Sequence, residues 1–105
     1  MSEIVQVVTV RACPGREQEA VDALAACMPP THTEAGCLRY ALHRRADDPA
    51  VLCVIERWAS FDALEEHRGQ PYILAIHERA SELFCEHSSF TYEAVPTGDP
   101  AKGQI

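Results

Sequence analysis

Stretches of β-branched residues alternate along this chain with stretches of helical spacing. Residues 4–12 (IVQVVTVRA) predict a first strand, which ends at a turn formed by residues 13–15 (CPG). Three further strands are predicted, at about residues 37–45, 50–58 and 88–95. Because a turn-rich Ala-Asp-Asp-Pro segment joins the second strand to the third, we expect these two strands to pair antiparallel.

Two helical regions separate the strands. The first starts at Arg16 and has apolar residues at intervals of three and four, until Pro29 and Pro30 predict its end or a sharp kink. This apolar set is Val21, Leu24, Ala25 and Met28. The second region follows Ser60, a good N-cap, and is interrupted at residues 69–71 (GQP) before another helix begins. The inward stripe predicted for that last helix is Ile73, Ile76, His77, Ala80, Leu83 and Phe84.

The element order β-α-β-β-α-β predicts an α+β, ferredoxin-like fold, in which a four-stranded antiparallel sheet carries both helical regions on one face. Residues 4–10 and 51–55 have apolar side chains at both parities, whereas a sheet with one wet face should alternate. The simplest cover for the second face is another copy of the sheet across a two-fold axis. We therefore expect a homodimer, with one domain over residues 1–95 and a flexible tail over residues 96–105.

Charge and cysteine content restrict the partners and the compartment. The formal net charge of −7 makes nucleic acid and anionic membrane surfaces poor partners. Five widely spaced cysteines, an odd number outside any C-x-x-C pair, predict reduced thiols. These residues are Cys13, Cys27, Cys37, Cys53 and Cys85. Since no apolar run of signal-peptide or membrane-spanning length is present either, we expect a cytoplasmic protein.

Residues 34–44 (EAGCLRYALHR) resemble the EPGCLRYELHR segment that is common in antibiotic-biosynthesis monooxygenase domains. Other segments are similar to that family in the same order: CPGR at 13–16 to its KPGKE turn, IERW at 55–58 to its YEEW strand end, and ALEEH at 63–67 with Pro71 to its ALxAHLxSP helix break. Together they cover roughly residues 4–95. The resemblance implies a dimeric α+β barrel, and either a cofactor-free quinone or quinol oxygenase, a haem-degrading enzyme, or a protein without an assigned reaction.

Trp58, His67 and His77 are predicted to surround one cleft between the helices and the sheet. In the functional hypothesis, a phenolic or quinol substrate stacks on Trp58 and His67 accepts its proton, with His77 as the second choice of base. Tyr72 could donate to a quinone oxygen, and Tyr40 is placed on the helix-facing side of its strand. In the structural hypothesis, Trp58 anchors the core and the histidines are satisfied polar groups.

Two other functions stay open. A non-catalytic binding or accessory domain could use the same cleft without turnover. A haem-degrading enzyme is disfavoured, because His77 matches the haem-ligating position but Val8 and His67 replace the asparagine and tryptophan of that branch. With no histidine pair at i, i+4, no Gly-rich phosphate loop and no dinucleotide fingerprint, we expect neither a metal nor a cofactor.

Overall fold

The computed structural model describes residues 2–105, so Met1, the first residue of the predicted domain, lies outside it. Within the described range the elements are β1 (Ile4–Ala12), α1 (Glu17–His32), β2 (Cys37–Arg44), β3 (Val51–Trp58), α2 (Phe61–Arg68), α3 (Pro71–Glu78), α4 (Ala80–Leu83) and β4 (Phe84–Tyr92). They form one sheet of order β2-β3-β1-β4, in which every neighbouring pair is antiparallel. The predicted ferredoxin-like α+β fold is thereby confirmed.

The even-numbered residues of β1 and β3 face the helices. Their side chains meet those of α1 and α2 and make the hydrophobic core. The main core residues are Ile4, Val10, Leu52, Val54 and Trp58 from the sheet, with Leu24 and Leu64 from the helices. The N-cap of α2 is as predicted, because the Ser60 hydroxyl accepts a hydrogen bond from the backbone N–H of Ala63 at 3.1 Å.

The odd-numbered side chains of β1 and β3 lie on the other face of the sheet, which no helix of residues 2–105 covers. The strand register places Tyr92 beside Val5 and Phe90 beside Val7 on this face. Val5, Val7 and Ile55 are half-buried there, and Phe90 and Tyr92 on β4 are 62% and 51% exposed. The apolar residues at both parities of the strands thus correspond to two apolar faces, one packed and one open.

Helix α1 does not stop at Pro29 and Pro30 but continues to His32. Proline fixes φ near −65°, which suits a helix. The two helical hydrogen bonds that the prolines cannot donate would have gone to the carbonyls of Ala25 and Ala26, and both of these residues are exposed. Burial of Cys27 and Thr31 on either side of the prolines holds this turn on the sheet. The buried face of the helix is also rotated from the predicted one: it consists of Ala20, Leu24, Cys27 and Thr31, whereas Ala25 is exposed.

Strand β4 begins at Phe84 and ends at Tyr92, so the prediction of residues 88–95 was about four residues late. Phe84 pairs with Ala12, and the N–H of Cys13 donates to the carbonyl of Leu83 at 2.8 Å, which draws this segment into the sheet. The helical spacing of the preceding residues extends through Phe84 and concealed the start of the strand.

Cys13 and Cys85 form a disulfide, so the prediction of five free thiols was wrong. The antiparallel pairing of β1 with β4 places their Cα atoms 5.0 Å apart, although 72 positions separate them in the sequence. Cys27, Cys37 and Cys53 are free. The expectation of a cytoplasmic protein loses the support it drew from Cys13 and Cys85. Among the described helices, none is long and apolar enough to cross a membrane.

Candidate active site

A cavity of about 560 Å³ lies between the sheet and the helices. This volume falls within the range that holds small organic ligands. Most of its wall is apolar: the sheet contributes Val8, Val10 and Val54, and the helices contribute Leu24, Ile73 and Ile76.

One end of the cavity is polar. Glu56 on β3 lies between Gln6 on β1 and Tyr40 on β2, because the strand register pairs it with both residues. All three side chains line the cavity, and His67 and Arg68 reach the same space from α2. A cavity with one apolar and one polar end suits a ligand that has an aromatic ring with polar groups on one edge.

His67 is the predicted base, and the structure places its ring in the cavity wall, 3% exposed. Nδ1 of His67 donates to Oε2 of Glu34, which lies in the loop after α1, at 2.8 Å. Nε2 is therefore the ring nitrogen left without its proton. Burial lowers the pKa of His67, and the Glu34 carboxylate opposes that change only in part. The imidazole is thus neutral at pH 7 and able to accept a proton.

Tyr72, predicted to contact substrate, instead contacts Glu34. Its hydroxyl donates to the same Oε2 atom that accepts from His67, and Tyr72 is not among the residues that line the cavity. Burial and the Glu34 carboxylate raise the pKa of Tyr72 to about 12, so the phenol keeps its proton. The hydrogen bond from Tyr72 therefore helps to fix the position of the Glu34 carboxylate.

Trp58 is fully buried and lies behind the cavity wall rather than in it. Its Nε1 donates to Oε1 of Glu56 at 2.9 Å, and its ring centre is 4.6 Å from that of His67. Tyr40, which does line the cavity, packs edge-on against both rings, 5.1 Å from that of His67 and 6.2 Å from that of Trp58. Trp58 thus orients two polar side chains.

His77 lies at the rim of the cavity and is exposed. It was expected on an inward stripe of one continuous helix. The helix is not continuous, because α3 ends at Glu78 and Arg79 separates it from α4. Within α3, Ile73 is buried and Ile76 partly buried, whereas His77 in the last turn is exposed. Because the ring of His77 is accessible from solvent, folding does not require its desolvation.

Glu56 is a polar group of the site that was not among the predicted site residues, although it lies within the IERW segment. It is 2% exposed. Burial raises its pKa to about 7, while hydrogen bonds from Trp58 and Gln6 and the charge of Arg68 act in the opposite direction. Gln6 is itself held, since its Oε1 accepts from Nη2 of Arg68 at 2.8 Å. The carboxyl group is therefore divided between its two protonation states near neutral pH.

Strand parity could have revealed Glu56 and Gln6. Each is a polar residue on the helix-facing parity of a strand whose other residues of that parity are apolar. Glu34 begins the EAGCLRYALHR segment, but that segment did not show that its side chain reaches His67, because the contact depends on how the loop between α1 and β2 packs against α2.

The fold and the cavity define an α+β domain with an apolar cavity whose polar end carries titratable side chains. The model of the antibiotic biosynthesis monooxygenase (ABM) family matches residues 3–79, and the chain belongs to this family. A relative from Mycobacterium tuberculosis, "Putative monooxygenase Rv0793", is 42% identical over 68 residues, which are 65% of this chain and 66% of that protein.

Solved structures agree with this assignment. PA3566 from Pseudomonas aeruginosa has a TM-score of 0.88 at 26% identity, covering 91% of this chain and 97% of its own. The structure of Rv0793 has a TM-score of 0.84 at 28% identity, covering 94% and 99%. SO0527 from Shewanella oneidensis has a TM-score of 0.84 at 30% identity, covering 87% and 89%. The resemblance found in the sequence is confirmed.

Proposed function

We propose that this protein is a cofactor-independent monooxygenase that oxidises a small phenolic or quinol-type aromatic substrate with O₂. One observation carries the proposal: a neutral, buried imidazole, oriented by the Glu34 carboxylate, borders an apolar cavity. Membership of the ABM family supports the reaction class. A phenol becomes a reductant for O₂ when it loses its proton, so a base beside an apolar ring pocket is what this chemistry requires.

The substrate ring would lie over Val8 and Val54, with its hydroxyl towards the polar end of the cavity. Nε2 of His67 accepts the phenolic proton, and the imidazolium that forms is stabilised by Glu34. The resulting anion gives electrons to O₂ and forms a bond to oxygen at a ring carbon. In total, a phenol and O₂ yield a quinone and water: one oxygen atom enters the ring and the other leaves as water.

Oxygen consumption tests the proposal. Hydroquinones and naphthols are supplied to the protein in an oxygen electrode, with His67→Ala compared against Glu66→Ala. Glu66 precedes His67 on α2, is exposed and does not line the cavity. We expect turnover that falls on the order of 10² to 10⁴-fold in His67→Ala and persists in the control. Binding of these compounds without oxygen uptake would instead indicate a non-catalytic binding domain.

We also propose that the chain forms a homodimer through the open face of the sheet. Val5, Val7 and Ile55 lie on this face, next to the exposed rings of Phe90 and Tyr92. A second copy would cover these side chains, and a stable interface buries about 1,200 Å² or more. Light scattering should give twice the chain mass of 11.6 kDa, and Phe90→Lys should reduce it. A mass of one chain for the unaltered protein at micromolar concentration contradicts the dimer.

A further inference from the structure

Glu56 and His67 approach the cavity from opposite layers. Glu56 projects from the sheet and His67 from α2, and both line the same space. Trp58 contacts each of them, by a hydrogen bond to Glu56 and by ring packing on His67. An aromatic ligand at the polar end of the cavity would therefore have a titratable group on each side.

No cation is bonded to Glu56 among the described residues. Arg68 is the cation whose charge acts on it, but Nη2 of Arg68 bonds Gln6 and Nη1 bonds Glu65. From the loop after α1, the charge of Glu34 opposes ionisation of Glu56. A carboxyl group in this position can hold a proton at neutral pH and release it into the cavity.

The groups that face Glu56 come from every element packed around it. Gln6 faces it from β1, and Tyr40 and Cys37 face it from β2. Burial raises the pKa of both Tyr40 and Cys37, so each is neutral at pH 7. On α2 the neighbours are Arg68, which is always charged, and His67, which is neutral. Near pH 7, Glu56 is therefore the group of this set that changes its charge.

We propose that Glu56 is a second catalytic residue of the cavity, which donates a proton to an oxygen atom of the bound intermediate while His67 accepts the phenolic proton. This inference rests on the proposed monooxygenase function. After one electron passes from the substrate anion to O₂ and the two radicals combine, the product is a peroxide anion on a ring carbon. Glu56 protonates its distal oxygen and gives the hydroperoxide.

The rest of the reaction returns both residues to their starting states. The Glu56 carboxylate removes the hydrogen from the same ring carbon as a proton, and the electron pair of that bond forms the new C=O bond. The O–O bond breaks, and the departing hydroxide takes the proton held by His67 and leaves as water. One phenol and one O₂ have then become one quinone and one water.

The same hydrogen bond donor should be detectable without turnover. A quinone such as 1,4-naphthoquinone has carbonyl oxygens that accept hydrogen bonds and no proton to lose. It should therefore bind best when Glu56 is protonated. If that single group controls binding, the affinity should fall roughly tenfold between pH 6 and pH 8. In Glu56→Gln the amide N–H still donates and does not titrate, so its affinity should not change over this range.

Calorimetric titration with 1,4-naphthoquinone from pH 5.5 to pH 8.5 tests the inference. The unaltered protein is compared with Glu56→Gln and with Glu66→Gln, since Glu66 is exposed on α2 and does not line the cavity. Glu66→Gln should keep the pH dependence. An affinity that does not change with pH in the unaltered protein, or the same dependence in Glu56→Gln, overturns the role of Glu56, as does an absence of quinone binding at pH 6.

Turnover separates this inference from the proposed function. With an active substrate, Glu56→Gln should lower kcat on the order of 10²-fold. An unchanged kcat rejects Glu56 alone. If no substrate is oxidised, the monooxygenase proposal fails, and the quinone titration still decides whether Glu56 donates to a ligand.

Trp58→Phe is a second variant for the quinone titration. Loss of the indole donor should move the midpoint of the pH dependence of quinone binding to higher pH.

Discussion

Nδ1 of His67 lies 2.8 Å from Oε2 of Glu34; the imidazole is buried, and the Glu34 side chain is 12% exposed. The two residues are brought together by a loop and a helix that are adjacent in space and 33 positions apart in sequence. A carboxylate in this place fixes which nitrogen of the imidazole carries the proton and stabilises the imidazolium once it forms. It therefore controls the base on which the proposed reaction depends.

Replacing Glu34 with Gln should lower kcat on the order of 10²-fold while the protein stays folded. The amide oxygen can still accept from Nδ1, but the negative charge that stabilises the imidazolium is lost. Because Glu34 raises the pKa of His67, the pKa should fall further in the variant. NMR titration of the ring measures this, and Glu66→Gln is the matched control. An unchanged kcat and an unchanged His67 titration would remove Glu34 from the site.

Glu56 should make the protein less stable as the pH rises from 4.5 to 7. The pKa of its carboxyl group is 4.5 in the unfolded reference and about 7 in the folded protein, so in this interval the folded state binds more protons than the unfolded one. Glu56→Gln lacks this effect. Relative to the unaltered protein, the variant should gain roughly 3 kcal/mol of unfolding free energy between pH 4.5 and pH 7, measured by urea denaturation.

The quantity to follow is the difference in unfolding free energy between the unaltered protein and Glu56→Gln, because the titration of His67 changes the stability of both proteins with pH in the opposite direction. Its pKa in the folded state is below 6.5, so the unfolded state takes up the proton first and stability is lost as the pH falls below 6.5. The His67 contribution is shared by both proteins and largely cancels. A constant stability difference across the range would show that Glu56 ionises normally in the fold.

Thiol titration in denaturant without reductant should count three free cysteines, and five after reduction, because Cys13 and Cys85 are paired. The disulfide closes a long loop, since its cysteines are 72 positions apart. Chain entropy then predicts that reduction lowers the free energy of unfolding by about 4 kcal/mol. The double variant Cys13→Ser with Cys85→Ser should behave like the reduced protein. A count of five thiols in freshly prepared protein would exclude the disulfide.

Gly36→Ala should destabilise the protein by about 1–3 kcal/mol. A Cβ at Gly36 would overlap the Cβ of Ala63 on α2, so the loop that carries Glu34 can approach this helix only without a side chain there. Thermal or urea denaturation gives the size of the effect. Gly69→Ala is the control, because its Cβ would meet an ordinary contact at 3.7 Å.

Ala63→Gly tests the same contact from the other side. Combined with Gly36→Ala, it should recover part of the lost stability, since it removes the atom with which the new Cβ collides. If the loss of unfolding free energy in the double variant equals the sum of the losses in the two single variants, the two positions do not interact.

Local patterns were sufficient for most of the fold. The β-branched stretches of β1 and β3, the Ser60 cap and the break before Pro71 each depend on a few neighbouring residues, and the structure has all three. The start of β4 was misplaced because it is set by pairing with β1, far away in the sequence. The prediction of five free thiols failed for the same reason, since no spacing rule relates residues 13 and 85.

The candidate site, too, could be predicted only in part from the sequence. The sequence indicated His67 because a helix phase places it, and the ring is in the cavity wall. It placed Trp58 and Tyr72 in contact with substrate, whereas the structure turns their polar atoms towards Glu56 and Glu34. Which of two neighbouring partners a buried N–H or O–H selects depends on packing in three dimensions, and a linear pattern does not contain that information.

The bond between Cys13 and Cys85 makes a covalent ring of the part of the chain that lies between them, with two short arms outside it. A single protease cut within the ring, for example in the loop between β2 and β3, would open the polypeptide without dividing it in two. The cavity walls come from β1, α1 and β2 before that loop and from β3, α2, α3, α4 and β4 after it. In a nicked molecule the disulfide would keep both fragments, and with them all the elements that line the cavity, joined covalently. The fragments could separate only after a reductant breaks the disulfide.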